Sequence, residues 1–184
     1  MLQLTSEYIL KVKLPLESLL FLQDMIYMSC LTFIKRKYIH LDSYGGCLHN
    51  TKVASDRRGK WEKTFLERAS QYRMVIIFEN RIQKEYISEK LAVVYKSGAI
   101  PVYWGPSDVY QWIPGNNTII DASKYADPKE LANYLKRVLA EDSLHEYHTT
   151  FDWEKTNRMQ KKYCKSEPYI CQLCKVAQKK LDKL

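Results

Sequence analysis

The stretch from Met74 to Gly105, MVIIFENRIQKEYISEKLAVVYKSGAIPVYWG, leaves this chain few ways to fold. An apolar run suited to a buried strand, Met74–Phe78, gives way to polar residues and then to a helix-period pattern from Tyr86 to Lys96. Gly98 supplies a helix stop, and a second apolar run follows from Ala99 to Trp104. Strand, helix, strand at this spacing is a βαβ unit: parallel strands need a crossover, and a right-handed one is expected. The fold class expected is therefore α/β. In open α/β sheets, ligands bind beyond the carboxyl ends of the strands. Here that edge carries Glu79, Asn80, Arg81, Glu85 and Tyr86.

At 100° per residue, Ile87, Leu91 and Val94 form one stripe of the expected helix and Tyr86, Glu89, Lys90 and Val93 the other. The first stripe suits the core. The second places a ring, a carboxylate and an ammonium on the opening turns, where free N–H groups and the helix dipole welcome an anion. Taken alone, Glu89 and Lys90 are also what an ordinary solvated helix face carries.

Bulk properties narrow the class. The 184 residues suffice for one domain with a real core, or for half of a two-domain enzyme. Hydrophobic content of 46% with 14 tyrosines excludes disorder. The net charge of +8 invites a nucleic-acid reading, but the basic residues are spread along the chain without a named motif. A basic surface equally suits a phosphorylated ligand or anionic membranes. Of the cysteines Cys30, Cys47, Cys164, Cys171 and Cys174, three crowd the last quarter and include a CxxC pair. In a cytosolic protein these suit half a zinc site or a redox pair, and in a secreted one a disulfide cluster. The acceptor tripeptide Asn116-Asn117-Thr118 leans towards the secretory option. His145 and His148 lie three apart on an expected helix, yet no acidic partner completes a ligand set. His40 and His49 add no motif, so no metal is assigned.

Along the chain, residues 1–37 form a segment of their own, with a helix expected over Leu14–Phe33. Its apolar run Met25–Ile34 is shorter than the roughly 20 residues of a spanning helix, and no leader pattern opens the chain. Residues 38–160 form the main domain. A short strand, Tyr38–Asp42, ends in Ser43-Tyr44-Gly45-Gly46, and a helix is expected within Lys52–Arg73. After the central unit come a loop or short helix over Pro106–Gly115 and a strand over Asn117–Asp121. Asp127 as N-cap and Pro128 in the first helical position open an amphipathic helix to Glu141, with Leu131, Leu135, Val138 and Leu139 on its core side. A last helix is expected over Ser143–Glu154. Residues 161–184 are a cysteine-rich basic tail.

Several of these elements agree, in order and distance, with a known signature. Phe78-Glu79-Asn80, then Tyr86-x-x-Glu89-Lys90, then Gly98-Ala99-Ile100-Pro101-Val102 and Gly105-Pro106 resemble the donor-binding pattern of the α1,3-fucosyltransferases, glycosyltransferase family 10. The likeness runs from about His40 to Cys174, taking in Asp42-Ser43-Tyr44-Gly45-Gly46-Cys47 and Phe151-Asp152-Trp153. The resemblance implies the C-terminal, Rossmann-like half of a GT-B glycosyltransferase, with a parallel sheet flanked by helices. It implies inverting transfer of L-fucose from GDP-fucose to an N-acetylglucosamine-containing glycan in α1,3 linkage, within a glycan or glycoprotein acceptor.

By the same resemblance, Lys90 and the helix start stabilise the leaving diphosphate and Glu89 accepts from the ribose hydroxyls. Asn80 and Tyr86 line the donor pocket, and Glu79 orients fucose or supports the loop. No cofactor is required besides the donor substrate, since lysine and helix terminus take the place of a metal. The family's diphosphate-binding arginine has no matched counterpart here: Met28-Ser29-Cys30 departs from the family element, and Arg36 is not forced into that role. The general base belongs to an N-terminal half that this chain is too short to build before His40, so a donor-binding half impaired in catalysis is expected. Cys164, Cys171 and Cys174 are disulfide candidates. The family implies the lumenal side of the Golgi, held by an anchor absent from this chain. Two other classes stay open: a non-catalytic nucleotide-sugar-binding domain, and a basic zinc- or nucleic-acid-binding module using the C-terminal cysteines.

Overall fold

A computed structural model describes residues 18–22, 38–43, 61–152 and 154–155. Five parallel strands form one sheet: β1 (Ser18–Leu22), β2 (His40–Ser43), β3 (Met74–Phe78), β4 (Ile100–Trp104) and β5 (Ile120–Asp121). Their order is β2-β1-β3-β4-β5. From β1 the chain steps outward to β2, then returns to the far side of β1 and continues outward through β3, β4 and β5. The reversal lies between β1 and β3, and the carboxyl ends of those two strands flank the crevice where doubly wound sheets bind ligands.

Four α-helices accompany the described part of the sheet: α1 (Trp61–Ala69), α2 (Glu89–Ser97), α3 (Pro128–Ala140) and α4 (Asp142–Thr149). All five residues of β3 are buried, as are Ile100–Tyr103 of β4, because helices cover both faces. Alternation divides them. Val75, Ile77 and Tyr103 pack with Phe65 and Ala69 of α1 and with Leu91 and Val94 of α2. Met74, Ile76, Phe78, Ile100 and Val102 pack with Leu131, Leu135 and Val138 of α3. At about 25 cal/mol per Å2 of apolar area removed from water, burying these aliphatic side chains is the main stabilising contribution.

The ends of the helices follow their residues. Asp127 accepts from the N–H groups of Lys129 (2.7 Å) and Glu130 (2.9 Å) ahead of Pro128, as expected of an N-cap. Gly98, at φ +83°, ends α2 with its N–H on the Tyr95 carbonyl. Across the two covering helices on one face, Lys96 Nζ meets Glu62 Oε1 at 2.7 Å.

Several expectations need correction. The helix expected over Leu14–Phe33 contains a strand at Ser18–Leu22, lying between β2 and β3. Its LLFL run is apolar without a break, and periodicity alone does not separate a parallel strand of that composition from a helix. The sheet thus begins upstream of residue 38, inside the segment set apart as 1–37. The central helix begins at Glu89 and not at Tyr86. Val93, assigned to the open face of that helix, is buried along with all of Leu91–Tyr95.

The strand expected over Asn117–Asp121 is only Ile120–Asp121. Ile100 directs its N–H to Arg73 on the β3 side, so Pro101, which has no N–H, turns its nitrogen to the β5 side and offers no donor there. The Thr118 carbonyl accepts instead from the Tyr95 hydroxyl at 3.2 Å. The last helix is Asp142–Thr149, shorter than the expected Ser143–Glu154. The element with Met28-Ser29-Cys30, Arg36, the Gly45-Gly46 turn, His49 and the tail 161–184 with Cys164, Cys171 and Cys174 lie outside the described residues. Among the described residues no helix is long and apolar enough to cross a membrane.

Candidate functional site

The sheet's carboxyl edge is built outward from Phe78, the last residue of β3, which pairs with Trp104 of β4. Glu79 continues the ladder by one bond, its N–H reaching the Trp104 carbonyl at 2.7 Å. Its side chain is fully buried. Oε1 accepts from the Ser88 N–H at 2.9 Å and the Ser88 hydroxyl at 3.1 Å. Burial pushes the Glu79 carboxyl above the usual carboxylate range, and the Ser88 bonds and the charge of Lys90 oppose that rise only in part.

Between Glu79 and Ser88 the chain makes a loop. Asn80 is half-buried at its start, Arg81 and Ile82 are exposed, and a turn closes with the Tyr86 N–H on the Gln83 carbonyl at 3.0 Å. Glu85 takes a left-handed conformation, φ 63°, with its N–H donated to Asp108 Oδ2 at 2.7 Å. Tyr86 is half-buried in this loop, ahead of the helix that was expected to carry it. Helix α2 then opens with Ser88 as N-cap, exposed Glu89 and half-buried Lys90. The Ser88 side chain does not cap its own helix, being engaged with Glu79. The first amides of any helix have no intrahelical acceptors, so this end offers N–H groups beside the Lys90 ammonium.

All five expected site residues, Glu79, Asn80, Tyr86, Glu89 and Lys90, thus lie within one loop and one helical turn, at the carboxyl end of a strand bordering the topological switch. Glu79 stands apart from the other four in being wholly enclosed.

Sequence reasoning did not find Ser88, Tyr103 or Asp108. Tyr103 is buried, and burial together with the nearby Glu79 and Asp108 carboxylates pushes its hydroxyl's ionisation far above the usual range. Its ring is admitted by Gly105: a Cβ there would lie 2.3 Å from the Tyr103 hydroxyl oxygen. Glu79 Oε2, Asp108 Oδ1 and the Tyr103 hydroxyl make no well-formed hydrogen bond among the described residues. The Gly105-Pro106-Ser107-Asp108 run carried a turn signal, but nothing local told which amide Asp108 would accept from. Further along the same edge, the Tyr110 hydroxyl donates to Asp121 Oδ2 at 2.8 Å, with Lys124 Nζ 4.8 Å from the centre of the Tyr110 ring.

His148 is buried on α4 with Nε2 2.8 Å from the Tyr134 hydroxyl and Nδ1 on the Asn117 carbonyl, and burial holds its pKa below the usual value. Among the described residues no three His, Cys, Asp or Glu side chains gather as a metal would need.

Comparison with known proteins agrees with this fold. The family model described as "Glycosyltransferase family 10 (fucosyltransferase) C-term" matches residues 28–183. The chain is similar to GDP-fucose protein O-fucosyltransferase 3 of Xenopus tropicalis, 37% identical over 121 residues, covering 64% of this chain and 25% of that protein. The corresponding human protein is 33% identical over 120 residues, with 64% and 25% covered. The chain thus spans about a quarter of the length of these relatives.

Among solved structures, an α1,3-fucosyltransferase crystallised with GDP-fucose superposes with a TM-score of 0.59 at 18% identity, over 75% of this chain and 40% of that one. A second crystal structure of an α1,3-fucosyltransferase gives 0.57 at 18% identity, over 75% of this chain and 38% of that one. These likenesses place the sheet in the Rossmann-like C-terminal half of the GT-B architecture. A loop and helix start bearing Glu79-Asn80 and Tyr86-x-x-Glu89-Lys90 at a switch-point edge, and a family match over residues 28–183, lead to one conclusion: the chain belongs to glycosyltransferase family 10, the fucosyltransferases.

Proposed function

We propose that this chain is the GDP-fucose-binding part of an inverting fucosyltransferase. The observation that carries the reading is the opening of α2: Glu89 and Lys90 in the first turn, at the carboxyl end of β3, beside the switch between β1 and β3. Departure of a nucleoside diphosphate leaves negative charge that must be stabilised as it develops. The Lys90 ammonium and the free amides of the helix start supply a positive field for it without a resident metal. Glu89, exposed beside them, accepts from the ribose hydroxyls, and Asn80 and Tyr86 line the donor on the loop side. The acceptor hydroxyl needs a base to take its proton as the new bond forms. That base is supplied from outside the residues described here.

For the acceptor, two hydroxyl classes compete. The relatives at 33–37% identity are named as protein O-fucosyltransferases, which favours a serine or threonine hydroxyl of a polypeptide. The α1,3 linkage to N-acetylglucosamine rests on solved neighbours at 18% identity and on the sequence motif, and is the second reading. Either reaction belongs in a secretory compartment such as the Golgi lumen.

The test is calorimetric titration of GDP-fucose into the wild type and Lys90→Ala. Losing one charge-assisted contact is expected to weaken binding about tenfold to a hundredfold. No heat of binding from the wild type overturns the reading, and an unaffected variant removes Lys90 from it.

A further inference from the structure

The body of α2 is fixed by burial of Leu91–Tyr95, but its first turn is held differently. Ser88 makes no side-chain cap, and the link that defines the helix start comes from Glu79, nine positions earlier. The Glu79 backbone is tied to β4 through the Trp104 carbonyl, and its carboxylate grips both the N–H and the hydroxyl of Ser88. End of strand and start of helix are thereby joined through one buried side chain. A second tie lies inside the loop: Asp108 holds the amide of Glu85, whose φ of 63° is uncommon for a residue with a Cβ and persists where its surroundings fix it. Tyr86 sits between the tied residues Glu85 and Ser88, and Glu89 and Lys90 follow Ser88 at once. Successive helical residues point about 100° apart, so Glu89 and Lys90 hold their directions only if the first turn starts where it does.

We propose that Glu79 is a positioning residue for nucleotide-sugar binding: its buried carboxylate fixes Ser88 as the N-cap of α2 and so sets the direction in which Glu89 and Lys90 leave the helix. Asp108 assists by holding Glu85, which sets Tyr86. The inference rests on the donor-site reading of Glu89 and Lys90. A carboxylate enclosed on all sides does not itself meet the donor.

The test combines amide hydrogen exchange with GDP-fucose calorimetry on the wild type, Glu79→Ala, Glu79→Asp and Glu79→Gln. Alanine removes the acceptor, and aspartate draws it back by one methylene. In both, the Ser88 amide is expected to exchange about tenfold faster or more, and donor affinity to fall about tenfold to a hundredfold, with one donor still bound per folded chain. Glutamine keeps an accepting oxygen at the same reach and is expected to restore both quantities to near the wild type.

A loss confined to the bound fraction, at unchanged affinity, shows a merely structural role and overturns the proposal. Unchanged Ser88 exchange in Glu79→Ala, or in Glu79→Asp if the alanine variant does not fold, overturns it too. If the wild type binds no GDP-fucose, the donor reading fails by itself, while accelerated Ser88 exchange in the variants still supports the strand-to-helix tie.

Discussion

Glu79 has a measurable cost as well as a use. Its carboxyl titrates above the ordinary value of 4.5 because burial disfavours the charged form. The folded chain therefore binds that proton more tightly than the unfolded chain. The resulting loss of stability is absent below about pH 4.5, grows as pH climbs through the raised folded value, and is constant above it. Glu79→Gln is accordingly expected to raise the melting temperature at pH 7.5 more than at pH 4. Thermal melts at the two pH values check this, and equal shifts would count against a buried ionised carboxylate. Motif matching placed Glu79 with the donor-site residues, and it does lie among them. Its burial depended on Ser88 and Tyr103 coming to lie beside it, which no local pattern encodes.

Among the elements, α2 concentrates the functional argument. Five consecutive buried residues, Leu91–Tyr95, hold its body, and Gly98 closes it at φ +83°. A Cβ added at Gly98 meets nothing within 4 Å, so any cost there is backbone strain alone. Gly98→Ala is expected to lose about 1–2 kcal/mol, the cost of a left-handed residue with a Cβ. In a chain of this size that amounts to a fall of a few degrees in melting temperature, to be read by calorimetry. The helix and its stop were legible in advance, since Gly98 falls where the apolar period ends. Its start was not. Tyr86 and Ile87 continue the helical period, but the Asp108–Glu85 bond and the Glu79–Ser88 bonds hold those residues in a loop. The first spans 23 positions and the second nine, both beyond the reach of helical periodicity, and they override the local pattern.

For the molecule as a whole, the strand order β2-β1-β3-β4-β5 places the Glu79–Lys90 motif beside the sheet's reversal. The donor-binding groups of the proposed reaction lie along that edge, whereas Glu79, the motif's other carboxylate, is enclosed and engaged with Ser88. On the proposed reading, with the base supplied from outside the described residues, the 184 residues are expected to bind GDP-fucose but not by themselves to transfer fucose to polypeptide or to N-acetylglucosamine. A radiolabelled-donor assay with both acceptors checks this. Transfer at rates typical of enzymes, about 1 per second or faster, would mean that a base has been overlooked.

The sequence by itself determined the βαβ unit, the stop at Gly98, the cap at Asp127 and the family, because each rests on residues a few positions apart whose spacing is the signal. Tertiary structure alone decided that Ser18–Leu22 is an inner strand, that Pro101 limits β5, and that Glu79 faces inward onto Ser88. Those outcomes depend on which distant segments meet, and on the burial and hydrogen bonding that follow from their meeting.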